Sequence, residues 1–67
     1  MRAVEFPIAD LEYVDLDTKQ KSTSQAVVLG TVDGFLERQR QYTESNNVRL
    51  TVFLGATVVT YENGKKV

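Results

Sequence analysis

Sixty-seven residues, 42% hydrophobic and 25% charged, have the composition of one small globular domain rather than of a disordered chain. The chain has no cysteine and no histidine, which excludes disulfide staples, zinc fingers and iron–sulfur centres and removes the usual base and thiol of nucleophilic triads. A net charge of −1 is far from the positive excess typical of phosphate binders.

Along the chain, Val4, Phe6 and Ile8 alternate with polar residues and predict a first strand over residues 2–8. Pro7 has no N–H for a ladder and belongs on an edge strand, or where its missing donor faces outward. A second alternating run, Leu11 to Leu16, predicts another strand. Its phase is open: either Leu11 and Tyr13 or Val14 and Leu16 point inward. Thr18 to Ser24 is polar and reads as a loop. Ser22 and Gln25 then match the spacing of a capping box, a hydroxyl N-cap with an amide three residues on. Behind them Val28, Leu29, Val32, Phe35, Leu36, Gln39 and Tyr42 recur at three- and four-residue steps.

That stripe predicts a helix from about Thr23 to Ser45, closing near Asn46-Asn47. Gly30 and Gly34 lie inside it as a small-residue pair that suggests close approach to a neighbouring element. The competing arrangement is a strand over 25–32, a turn at Asp33-Gly34 with Asp33 as N-cap, and a shorter helix from Phe35. The single continuous stripe favours the long helix.

The C-terminal third has the strongest pattern. Val48, Leu50, Val52 and Leu54 alternate with Arg49, Thr51 and Phe53. Gly55-Ala56 suits a two-residue turn with glycine first. That loop sets Leu54 against Thr57, Val52 against Val59 and Leu50 against Tyr61. On the other face it sets Phe53 against Val58, Thr51 against Thr60 and Arg49 against Glu62. Asn63-Gly64 signals a further turn, leaving Lys65-Lys66-Val67 as a strand stub or a frayed tail. The expected fold is α+β: one domain over 1–67, an antiparallel sheet of about four strands (ββαββ) with one helix on one face.

The charges are unevenly spread. Residues 1–17 hold Glu5, Asp10, Glu12, Asp15 and Asp17 against Arg2, a net −4, whereas residues 18–67 sum to +3. Asp10 with Glu12, and Asp15 with Asp17, would share strand faces, yet Asp15–Lys19 lacks the ligands and glycine of a metal loop. No phosphate loop, dinucleotide fingerprint or nucleophile elbow occurs, and no serine has a histidine to activate it. No cofactor and no metal is expected, and the chain is expected not to be an enzyme.

The predicted register puts Phe53, Val58, Thr51 and Thr60 in a strip on the sheet's outer side. Exposed strips of this kind mark interfaces. The expected function is therefore a non-enzymatic protein-binding module, an inhibitor or accessory subunit of a larger protein or complex, such as phages and mobile elements encode. Its binding residues would be Phe53, Val58, Thr51, Thr60, Asp10, Glu12, Asp15 and Asp17, with a homodimer as a further possibility. The alternative is a small nucleic-acid-binding domain using Lys19, Lys21, Arg38, Arg40, Arg49, Lys65 and Lys66. The longest apolar run, Ala26 to Leu29, is too short for a membrane span, and the N-terminus does not read as a signal peptide, so a cytoplasmic protein is expected.

Overall fold

A computed structural model of the chain describes residues 7–67. Its elements are β1 (Ile8–Asp15), β2 (Lys21–Val27), α1 (Val32–Asn46), β3 (Val48–Leu54), β4 (Thr57–Glu62) and β5 (Lys65–Lys66). The five strands form one antiparallel sheet in the order β2-β1-β3-β4-β5, with the helix against one face: an α+β fold.

The C-terminal hairpin forms in the expected register. Gly55 takes φ 60°, as a glycine-first turn requires, and the pairs Leu50↔Tyr61, Val52↔Val59, Thr51↔Thr60 and Phe53↔Val58 follow. Asn63 and Gly64 both take positive φ, and the stub after them adds β5 to the sheet. β1 then pairs with β3, placing Leu11 beside Val52 and Tyr13 beside Leu50. This settles the phase of β1: Ala9 and Leu11 are buried in one cluster with the helix residue Phe35, and Tyr13 is half-buried against it.

Residues 21–27 and the helix start depart from expectation. Thr18 to Gln20 lie outside the strands, as expected of a loop, but from Lys21 on the segment read as loop and capping box is strand β2, paired antiparallel with β1 from Ile8↔Val27 to Val14↔Lys21. Ser22 caps nothing; it lies in a strand. The helix begins at Val32, not Thr23, so the shorter alternative is closer to the fold. Its N-cap is neither Ser22 nor Asp33 but Thr31, in extended backbone, whose hydroxyl accepts the Gly34 N–H at 3.0 Å. Gly30, with φ 80°, turns the chain out of β2, a conformation that would strain a side chain. Gly34 faces its own cap, Thr31, rather than another element, so the two glycines are no packing pair. Asn47 closes the helix in the left-handed region, as expected of the asparagine pair.

Of the expected stripe, Phe35 is buried, but Leu29, Val32 and Tyr42 are exposed. The first expected strand falls mostly on residues 1–6, outside the described residues. Pro7 precedes β1, and Ile8 opens that strand with its side chain exposed rather than in the core.

The β1–β2 turn is held by Asp15. Its carboxylate accepts the backbone N–H groups of Asp17 (2.8 Å) and Thr18 (3.0 Å). Those bonds, foremost the one from Thr18, hold its pKa below the usual carboxylate range. A lowered folded-state pKa contributes stability above the unfolded value and loses it as pH falls through the folded one. Stability should therefore decline as pH drops below the ordinary Asp value of 3.8. In Asp15→Asn the amide oxygen still accepts both bonds without titrating. Urea midpoints at pH 6 and pH 3 should differ less in this variant than in the wild type; an equal difference would remove Asp15 from the acid response.

The core gathers Ala9, Leu11, Val28, Phe35, Leu50 and Val52, with Tyr13, Ala26, Leu36 and Leu54 packed against it. The helix lies over β3, β4 and β5, and its Cα trace does not come within 8 Å of β1 or β2. Tyr13 bridges the gap by an edge-to-face contact with Tyr42 on the helix, with ring centroids 5.6 Å apart.

Candidate interaction face

The face of the sheet opposite the helix has no layer over it among the described residues. The pairing places side chains there in rows across β2, β1, β3 and β4. One row runs Gln25, Asp10, Phe53, Val58; the next runs Thr23, Glu12, Thr51, Thr60; the third runs Lys21, Val14, Arg49, Glu62. Six of the eight residues expected to bind a partner (Phe53, Val58, Thr51, Thr60, Asp10 and Glu12) thus share this face. Asp15 and Asp17 do not join them: Asp15 caps the hairpin turn and Asp17 lies in that turn, so the two share no strand face.

Ile8 and Val27, cross-strand neighbours, extend the apolar end of the face. Ile8 (57%), Val27 (51%), Phe53 (39%) and Val58 (59%) are all exposed. Neither Ile8 nor Val27 was expected there, because their pairing depends on a strand with no apolar alternation. Beside Phe53, the Asp10 carboxylate accepts the Gln25 amide N–H at 2.8 Å. Asp10, Glu12, Thr23, Gln25 and Phe53 border an open depression of about 460 Å³.

The sheet disperses the charge asymmetry of the sequence. Acidic β1 lies between β2 and β3, so Glu12 approaches Lys21 at 3.9 Å, while Glu62 pairs with Arg49 at 2.7 Å. Asp10, Glu12 and Glu62 are matched in number on this face by Lys21, Arg49 and Lys65. The Thr51 and Thr60 hydroxyls hydrogen-bond at 3.1 Å. Such exposed pairs orient side chains more than they stabilise the fold.

The basic residues are not gathered. Lys19 and Lys21 lie at the β2 edge of the sheet and Lys65 and Lys66 at the β5 edge, about 19 Å away at four strand spacings. Arg38 is exposed on the helix. Arg40 is engaged by Glu37 at 2.7 Å and donates to the Gly64 carbonyl at 2.9 Å. The hydrogen bond from the Arg40 guanidinium holds the Glu37 carboxyl below its ordinary range. Among the described residues no three carboxylates cluster closely enough to hold a metal ion, and no helix is long and apolar enough to cross a membrane. No protein-family model, curated protein or solved structure matches the chain.

Proposed function

We propose that the chain is a protein-binding module that docks the open face of its sheet on a larger protein, serving there as an inhibitor or accessory subunit without chemistry of its own. The observation that carries this reading is the exposed apolar end of that face, Ile8, Val27, Phe53 and Val58, bordered by Asp10 and Glu12. Apolar residues rimmed by polar ones are the usual anatomy of a protein interface. The balanced charges of the face suit a partner recognised by shape and apolar contact more than by net charge. The dispersed basic residues offer nucleic acid no continuous track.

Phe53→Lys tests the reading. Lysine keeps the strand, and its ammonium faces Asp10, its β1 neighbour, so the fold should hold while the apolar contact is lost. Immobilised wild-type chain should retain a stoichiometric protein from a lysate of its source cells. The variant, with an unchanged circular dichroism spectrum, should retain at least about tenfold less, as expected for an anchor worth more than 1 kcal/mol. Equal retention would place binding elsewhere. Retention of nucleic acid on both proteins would support the alternative.

A further inference from the structure

We propose that the free edge of β2 is a self-pairing site through which two copies of the chain join, antiparallel and strand to strand, into one continuous sheet. The phase of the β1–β2 ladder defines what the edge presents. The hairpin is bracketed by hydrogen bonds from Asp15 N–H to the Gln20 carbonyl and from Val28 N–H to the Pro7 carbonyl. In an antiparallel ladder, bonded pairs alternate with unbonded ones. Ser22, Ser24 and Ala26 therefore direct their backbone groups to β1. Lys21, Thr23, Gln25 and Val27 direct theirs outward, where no strand follows in the sheet order among the described residues.

The two edges of the sheet are unlike. β5 is a stub of two lysines, a common way of blunting an edge. β2 has seven residues, no proline and one charge, Lys21, which is drawn back toward Glu12. The helix lies over the other half of the sheet and leaves the approach to β2 clear among the described residues.

The occupant that fits is a second β2. Antiparallel pairing centred on Ser24 sets Lys21 against Val27 of the other copy and Thr23 against its Gln25, so every outward N–H and C=O finds a partner. No like charges meet. Sliding the copies by two residues strands either Lys21 or Val27 outside the ladder. In the centred register Ser24 faces its own counterpart as an unbonded pair, with Cα atoms about 4.5 Å apart. Strand pairing of this length gives a small interface, so association is expected between micromolar and millimolar concentrations.

Because the chain has no cysteine, single-cysteine variants report the register. Ser24→Cys, with its counterpart within disulfide reach, should form a covalent dimer under mild oxidation. Ser22→Cys, opposite Ala26 and about 13 Å from its counterpart, should not. In the wild type, amide exchange at Thr23 and Gln25 should slow as concentration rises, while Ser22 and Ser24 stay protected throughout. Thr23→Pro removes only an outward N–H and should abolish the association. The proposal is overturned if the wild type sediments as a monomer at millimolar concentration, if both cysteine variants cross-link equally, or if association survives Thr23→Pro. An edge reserved for a strand of another protein would give the first of these results. If Thr23→Pro does not fold, the cysteine pair still decides. The edge is distinct from the open face, so either proposal can fail alone.

Discussion

Leu50→Ala is expected to lower the melting temperature by at least about 8 °C, the largest effect of any single truncation considered. Leu50 is fully buried, and its neighbours across the sheet are Tyr13 on β1 and Tyr61 on β4. Truncation loses the transfer free energy of the deleted carbons and leaves a cavity that flanking strands cannot close, costing about 2–5 kcal/mol. In a domain of this size each kcal/mol shifts the midpoint by roughly 4–8 °C. With no cysteine in the chain, no disulfide compensates. Val58→Ala is the control: Val58 is on the open face and 59% exposed, so its change should stay within about 0.5 kcal/mol. Thermal melts of the two variants decide the point, and similar shifts would mean that the core is not centred on Leu50.

Thr43→Val is expected to cost about 1–3 kcal/mol although it conserves volume. Thr43 is fully buried on the helix, and its hydroxyl donates to the Arg40 carbonyl at 2.7 Å while accepting the Gly64 N–H at 2.9 Å. Valine fills the same space but leaves the Gly64 N–H buried without an acceptor, which carries the full desolvation penalty. Gly64 also takes φ 80°, and a Cβ there would lie 2.9 Å from the Glu44 carboxylate, so the turn has little freedom to find another partner. Faster amide exchange at Gly64, with the β5 pairing lost before the rest of the sheet, should accompany the drop. Thr43→Ser, which keeps the hydroxyl, should recover most of the stability; an equal loss in Thr43→Ser would assign the cost to packing.

How far the sequence is legible varies with how strongly each segment is buried. β3 and β4 alternate cleanly because one face meets the helix and core, and Gly55-Ala56 and Asn63-Gly64 supply turn chemistry that fixes the register. β2 left no such mark, since an edge strand exposed on both faces needs no hydrophobic period; the ladder to β1 holds it, and a ladder is indifferent to side chains. The false helix start has the same origin. Ser22 and Gln25 have cap spacing, while the actual cap, Thr31, faces a glycine three residues on and so lacks the second half of that motif. Along the candidate face, Phe53, Val58, Thr51 and Thr60 could be placed from one hairpin. Asp10 and Glu12 were named for their charge, and only the β1–β3 pairing brings them alongside Phe53 and Thr51. Ile8 and Val27 required β2 to be known.

The position of β1 between β2 and β3 also bears on the order of folding events. The β3–β4 hairpin closes over a two-residue turn and is kinetically local, but β1 reaches β3 only after the intervening hairpin and helix have been drawn together. A lone hairpin is marginal in water, so the barrier should fall where β1 docks. Substitutions that weaken the β1–β3 seam would then retard refolding, whereas those confined to the outer strand would chiefly hasten unfolding.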